Sequence, residues 1–166
     1  KVAGGGVFVH YADLSEESAR VIVQTDIANE GASRAVRLEL QLKDKDGQLA
    51  ANRFTSLTLP SGGSETASLE MTVEQPKLWH PDNPHLYDLF ITLLDDSGQT
   101  VDTFRKRIGL RTIEMRGKDG FFLNGKPYPQ VLIGANRHQD FAHIGHALPN
   151  NLHYRDALKL RQVGMR

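Results

Sequence analysis

The chain has 166 residues, 20 lysines and arginines against 20 aspartates and glutamates, and no cysteine. Zero formal charge gives no attraction to nucleic acid or to an anionic membrane, and the missing thiols exclude disulfides and thiolate metal sites while fitting a cytoplasmic or a secreted location equally. There is no run of about 18 apolar residues and no signal-peptide pattern at Lys1, so the sequence reads as a soluble piece, long enough for one domain and part of a second.

Residues 2–6, with three consecutive glycines, read as a loose lead-in, and Val7, Phe8, Val9 and His10 as a first short strand. Over residues 19–27 the side chains alternate, with Val21, Val23, Thr25 and Ile27 on one face and Ile22, Gln24 and Asp26 on the other. A period of two marks a half-buried strand. It recurs after the turn at 29–31, where Val36, Leu38, Leu40 and Leu42 alternate with Arg37, Glu39 and Gln41. Residues 44–47 form a hairpin turn, 48–59 a return strand with weaker alternation, and 60–63 the next loop. Ala67, Leu69, Met71 and Val73 share a face of the strand that follows. Residues 75–85 carry three prolines and are irregular, after which 86–94 and 100–108 pair across the turn at 95–98. About seven short strands with turn residues between them predict a mainly β domain, an immunoglobulin-like antiparallel β-sandwich over residues 1–113.

Beyond residues 109–116 the pattern changes. Asn124-Gly125 sits between Phe121, Phe122, Leu123 and Lys126, Pro127, Tyr128, and both turn residues tolerate the positive φ of a type I′ turn. Val131, Leu132 and Ile133 then form a continuous apolar run closed by Gly134. Such a run predicts a strand covered on both faces, as in a parallel α/β sheet. Asn136, Arg137 and His138 follow it, just past the carboxyl end of that strand, where α/β folds place ligand-contacting groups. A loop rich in His and Gly leads to Leu148-Pro149-Asn150-Asn151, a helix start with Asn150 or Asn151 as the N-cap. Leu152 and Leu158, with Tyr154, Ala157, Arg161 and Val163, recur at helical spacing, and Gly164 is placed as the stop. Strand, loop and helix make one unit of a parallel α/β structure, and one such unit cannot close a barrel. The chain therefore reads as a fragment of a longer polypeptide.

Two segments carry a family resemblance. FFLNGKPYPQVLIGANRHQD, residues 121–140, resembles the opening of the catalytic barrel of family 2 glycoside hydrolases, the β-galactosidase, β-glucuronidase and β-mannosidase group. LWHPDNPHLYDL, residues 78–89, resembles a segment of the immunoglobulin-like domain that precedes that barrel, and the two occur in the family's order. The resemblance implies a sandwich over 1–113 and, over 114–166, the first β-α unit of a truncated (β/α)8 barrel. It implies a parent that is a retaining exo-β-glycosidase acting on terminal β-linked sugars, with β-galactosidase as the preferred label, in which the sandwich is a spacer.

Glycoside hydrolysis needs two positioned carboxylates. In the family both are glutamates on later barrel strands, and no segment here resembles their surroundings, so the chain holds no catalytic residue and is expected to be inactive alone. The same resemblance puts His138 in the sugar subsite, bonding hydroxyls, with Arg137 and Asn136 shaping the pocket floor. His and Asn offer both donors and acceptors, as a sugar requires; alternatively Arg137 and Asn136 only satisfy backbone carbonyls at the strand end. Gln139 departs from the acidic residue that many relatives carry there. His138, His143 and His146 are too loosely spaced to read as a metal site and are taken as loop histidines. Asp140 orients Arg137 or His138, or else caps the loop as a turn residue. Trp79 is read as packing a domain corner rather than stacking on a sugar, Tyr87 and Phe90 as core or edge strand residues, and Arg105, Lys106, Arg107 and Arg111 as a solvated strand face.

The expected partners are a carbohydrate substrate of the parent and other domains of the same polypeptide, with no nucleic acid, no membrane, no metal and no cofactor. Val131, Leu132 and Ile133 would lie uncovered in the chain by itself and invite self-association. The rival reading is a non-enzymatic immunoglobulin-like module that binds glycan or protein through its loops, since sandwich folds carry many unrelated functions.

Overall fold

The alternating segments form seven long strands: β1 (Val2–Ala12), β2 (Ser18–Ala28), β3 (Arg34–Lys43), β4 (Leu49–Leu59), β5 (Ser64–Glu74), β6 (Tyr87–Leu94) and β7 (Thr100–Ile108). In the computed structural model, which describes residues 1–165, they make two antiparallel sheets, ordered β1-β2-β5 and β4-β3-β6-β7. Ala19, Val21, Val23 and Ile27 of β2 and Leu69, Met71 and Val73 of β5 are buried in one core with Val36, Leu38, Leu40 and Leu42 of β3 and Tyr87, Leu89, Ile91 and Leu93 of β6. These are the inward faces that the alternation marks. Burying each such side chain contributes roughly 1.5–3 kcal/mol, and this is the main force holding two sheets face to face.

Two of the hairpins are closed by one device used twice. Asp44-Lys45-Asp46-Gly47-Gln48 joins β3 to β4, and Asp95-Asp96-Ser97-Gly98-Gln99 joins β6 to β7. In the first, Asp44 Oδ1 accepts the N–H groups of Asp46 and Gln48, both at 2.9 Å. In the second, Asp95 Oδ1 accepts those of Ser97 and Gln99, both at 3.0 Å. Gly47 and Gly98 each take φ 79°, and the strand register shifts immediately beyond each turn. An aspartate-closed turn ending in a left-handed glycine is what lets a short loop match the twist of its strands.

The irregular segment after β5 is fastened at both ends. Tyr87, buried at the start of β6, accepts the Lys77 N–H on its hydroxyl at 2.9 Å and packs edge-on against His85. The backbone N–H of Trp79 donates to Leu110 O at 2.8 Å, and its ring lies over Gly109, where a Cβ would stand 2.8 Å from the ring. The Arg111 guanidinium lies 4.8 Å above the same ring. Trp79 thus packs a corner, as the sequence suggests, and Arg111 is drawn out of the solvated basic face to cover it. Arg105, Lys106 and Arg107 stay exposed on β7.

A small second sheet follows, β8 (Ile113–Met115), β9 (Phe121–Leu123) and β10 (Lys126–Pro127), in the order β10-β9-β8. The predicted type I′ turn forms here, with Asn124 at φ 52° and Gly125 at φ 73°, and Leu123 opposite Lys126. Asn124 also donates from Nδ2 to Trp79 O (3.1 Å) and accepts the Thr112 N–H on Oδ1 (3.1 Å). The chain divides into two compact units, Lys1–Pro127 and Tyr128–Arg166.

Three expectations are corrected. Residues 2–6 are not a lead-in but the first part of β1: a step of five residues from Val2 to Val7 faces a step of only two from Ile27 to Thr25, so the glycines are a bulge. Gly6 is needed there because a Cβ would meet Asp26 Cβ at 2.8 Å. The buried strand expected at 131–133 does not form: these residues are in no strand, and Val131, Leu132 and Ile133 are 78%, 45% and 52% exposed. A parallel strand takes its backbone partners from strands on either side, and among the described residues none is paired with this segment. The helix α1 (Asn150–Gln162) does form, but with Pro149 rather than an asparagine as its N-cap. Its half-buried residues are Leu152, His153, Asp156 and Leu160, while Tyr154, Ala157, Leu158 and Val163 are exposed. Gly164 ends it at φ 90°, with Gly164 N–H on Arg161 O and Met165 N–H on Leu160 O. That crossed pair is a Schellman motif, the termination that glycine after a helix predicts. Among the described residues no helix is long and apolar enough to cross a membrane.

Candidate functional site

The segment 136–138 lies in the second unit, and α1 supplies its partners. Arg137 donates from Nε and Nη2 to Asp156 Oδ2 at 3.0 and 2.5 Å, and its Nη1 lies 3.2 Å from His153 Nδ1. Arg155 donates from Nε and Nη2 to the other oxygen, Asp156 Oδ1, at 3.3 and 3.1 Å, and its guanidinium stands 5.2 Å from the Phe141 ring centre. The hydrogen bond from Arg137 holds the Asp156 carboxyl below the usual carboxylate range, against a smaller opposing effect of burial, with Arg155 adding to the lowering. Asn136 and His138 are exposed on either side of the half-buried Arg137.

The carboxylates of this unit are few. Residues 128–166 contain only Asp140 and Asp156. Asp156 is held by two guanidiniums, and Asp140 Oδ1 lies 3.0 Å from His146 Nε2. Of the two roles left open for Asp140, orienting Arg137 is taken by Asp156 instead. Sequence reasoning missed Asp156 because its partner is 19 residues away; the available signal was an aspartate three residues after a histidine on the half-buried face of a helix.

Among the described residues no group of three or more His, Cys, Asp or Glu gathers in a way that could hold a metal ion, and His138, His143 and His146 form no such cluster. On the sandwich, a groove of about 400 Å³ is lined by Lys45, His85, Asp88, Arg105 and Arg107 among others. Its one carboxylate, Asp88, is bound by Arg105 through both oxygens at 3.0 and 2.7 Å, which lowers its pKa. Burial pushes the His85 imidazole below its ordinary value.

The same architecture recurs in known proteins. The chain is 29% identical to a β-glucuronidase of Bacteroides fragilis over 164 residues, 98% of this chain and 23% of that protein. It is 28% identical to a β-galactosidase of Thermoanaerobacter pseudethanolicus over 144 residues, 87% of this chain and 18% of that protein. The crystal structure of a glycosyl hydrolase family 2 member from Bacteroides cellulosilyticus superposes with a TM-score of 0.91 at 30% identity, over 99% of this chain and 21% of that one. The chain thus spans about a fifth of the length of the proteins it matches. The family's own pattern, Glycosyl hydrolases family 2, matches residues 7–111, which is the two-sheet region with its corner at Trp79. With that pattern running through both sheets, and a family member's backbone following nearly all of the rest, the chain belongs to glycosyl hydrolases family 2.

Proposed function

We propose that this chain is the spacer sandwich and the barrel opening of a longer retaining exo-β-glycosidase that removes terminal β-linked sugars, with galactosides the preferred class. The observation that carries the glycosidase reading is a relative's match over 98% of the chain, which extends well past the sandwich, and the galactoside preference rests on the name of the Thermoanaerobacter pseudethanolicus relative. His138 bonds sugar hydroxyls, and Arg137 and Asn136 shape the floor of the subsite. Residues 1–113 are the immunoglobulin-like spacer and 114–166 the start of the barrel. Supporting the first assignment, the Tyr87 hydroxyl reaches back to the backbone at Lys77 from the start of the sixth strand, much as in the tyrosine corner of immunoglobulin-like domains. The catalytic carboxylates are contributed from outside this chain, and the chain alone is inactive. Its uncovered Val131, Leu132 and Ile133 favour self-association when the rest of the parent is absent.

A glucuronide is the second reading for the substrate, favoured by the name of the Bacteroides fragilis relative. The deciding experiment is hydrolysis of nitrophenyl β-galactoside, β-glucuronide and β-mannoside by the full-length parent, beside the same parent carrying His138→Ala and the 166-residue chain alone. The expected result is turnover of one glycoside, a loss of about tenfold to a hundredfold in kcat/KM for the variant, as for removal of one or two substrate hydrogen bonds, and none for the chain alone. Turnover unaffected by His138→Ala discards the site. No turnover of any glycoside brings the non-enzymatic binding module forward.

A further inference from the structure

We infer that Asp156 and His153 of α1 are positioning residues for the proposed sugar subsite, acting on Asn136 and His138 through Arg137. The inference rests on the reading of Asn136 and His138 as residues of the sugar subsite.

The geometry is that of a clamp. An arginine has only donors, so at the 3.2 Å contact His153 Nδ1 is the acceptor and the ring carries its proton on Nε2. Three of the five guanidinium N–H groups are thereby committed to α1, two to one carboxylate oxygen and one to the imidazole. His153 and Asp156 are three residues apart, so they share a helix face, and both are half-buried while Tyr154, Arg155 and Ala157 between and beside them are exposed. Arg155 occupies Asp156 Oδ1, so the carboxylate cannot turn away from Arg137 without breaking bonds on both oxygens.

The consequence falls on the neighbours of Arg137. Residues 136–138 are in neither helix nor strand, and their exposure runs exposed, half-buried, exposed. Arg137 is the one half-buried residue of this stretch, so tying it to the helix anchors the backbone that carries Asn136 and His138 on either side of it. A loop held in this way presents two hydrogen-bonding side chains without first losing the entropy of ordering itself. Arg137 accordingly acts from beneath the subsite, and the helix, not the loop, sets where His138 stands.

The test is a double-mutant cycle on kcat/KM in the full-length parent, with the glycoside it cleaves, using His138→Ala, Asp156→Asn and both together. Asp156→Asn keeps the shape of the side chain and removes the charge that Arg137 binds. It is expected to lower kcat/KM about tenfold, the scale of a small misplacement of a contacting group. In its background the cost of His138→Ala is expected to shrink at least about threefold, because a residue no longer held in place has less to lose. A purely structural Asp156 would leave that cost unchanged, and equal costs in both backgrounds overturn the inference. Lys159→Ala, on the same helix and exposed, is the control and is expected to change nothing. Should Asp156→Asn not fold, Asp156→Glu takes its place in the cycle, since it keeps the charge and displaces it by one methylene. A parent that cleaves no glycoside sinks the functional reading and this inference together. An active parent that needs His138 but shows no coupling sinks the inference only.

Discussion

The two units of the chain are built on opposite terms. Every buried hydrophobic residue, from Val7 to Leu123, lies in Lys1–Pro127, and no described residue of Tyr128–Arg166 is buried. The first unit is held by apolar side chains interleaved between two sheets. The second is held by one guanidinium between an aspartate and a histidine, a crossed helix terminus and a tight loop in which Phe141 bridges Gly145. The difference teaches where packing and the proposed site sit: the apolar core lies in the first unit, and the proposed sugar-contacting residues lie in the second, among exposed and half-buried side chains.

The sharpest way to break that contrast is to remove one leucine from each unit. Leu40 is 0% exposed at the centre of β3, and Leu40→Ala is expected to cost about 2–5 kcal/mol, the range for a cavity in a packed core. Leu158 is 46% exposed on α1, and Leu158→Ala is expected to cost about 0.5 kcal/mol or less. Urea unfolding followed by fluorescence reads the first unit cleanly, because Trp79 is the single tryptophan and sits at its corner. Equal midpoint shifts for the two variants would mean that the units melt as one and that the contrast is wrong.

A smaller effect is expected from the apolar run. In the 166-residue chain alone, Val131, Leu132 and Ile133 are the exposed apolar residues closest together in sequence. Sedimentation velocity should show association that weakens with dilution, and Leu132→Lys should shift the chain toward monomer without moving the urea midpoint of the first unit. A wild-type chain that is monomeric at all accessible concentrations removes this proposal.

What could be read beforehand follows the same division. Strands β2, β3, β5 and β6 were legible because each buries one face, and a buried face writes a period of two into the sequence. The Asn124-Gly125 turn and the Gly164 stop were legible because positive φ is a local demand that few residues meet. The bulge in β1 was hidden because three glycines look like a linker until Asp26 is seen packed against Gly6. Residues 131–133 misled in the other direction: their composition suits a covered strand, but covering is supplied by partners, and composition alone does not bring them. The role of Asp156 was beyond reach for a related reason. The sequence offered Asp140 three residues from Arg137, and only the folded path of the loop shows that the helix is the nearer acceptor.

The smallest expected effect, and the finest division between the units, comes from acid. Asp156 has a folded pKa below its ordinary value because Arg137, then Arg155, bind the ionised form. A carboxyl lowered on folding contributes stability that is fully present above its unfolded pKa of about 3.9 and is lost as the pH falls through the lower folded value. The groups facing it are Arg137 and Arg155, and protonating Asp156 leaves the two guanidiniums without their carboxylate. Amide exchange measured as protection factors should therefore show residues 150–162 losing protection below about pH 4 while the amides of β2 and β3 keep theirs, since the latter are covered by apolar side chains that do not titrate. Asp88 on β6 is also lowered, by Arg105, but it lies on the outer face of a strand whose inner face is fully packed, so its protonation has little to undo. Should the helix and the central strands lose protection over the same pH range, the clamp at Arg137 would not be what orders the second unit.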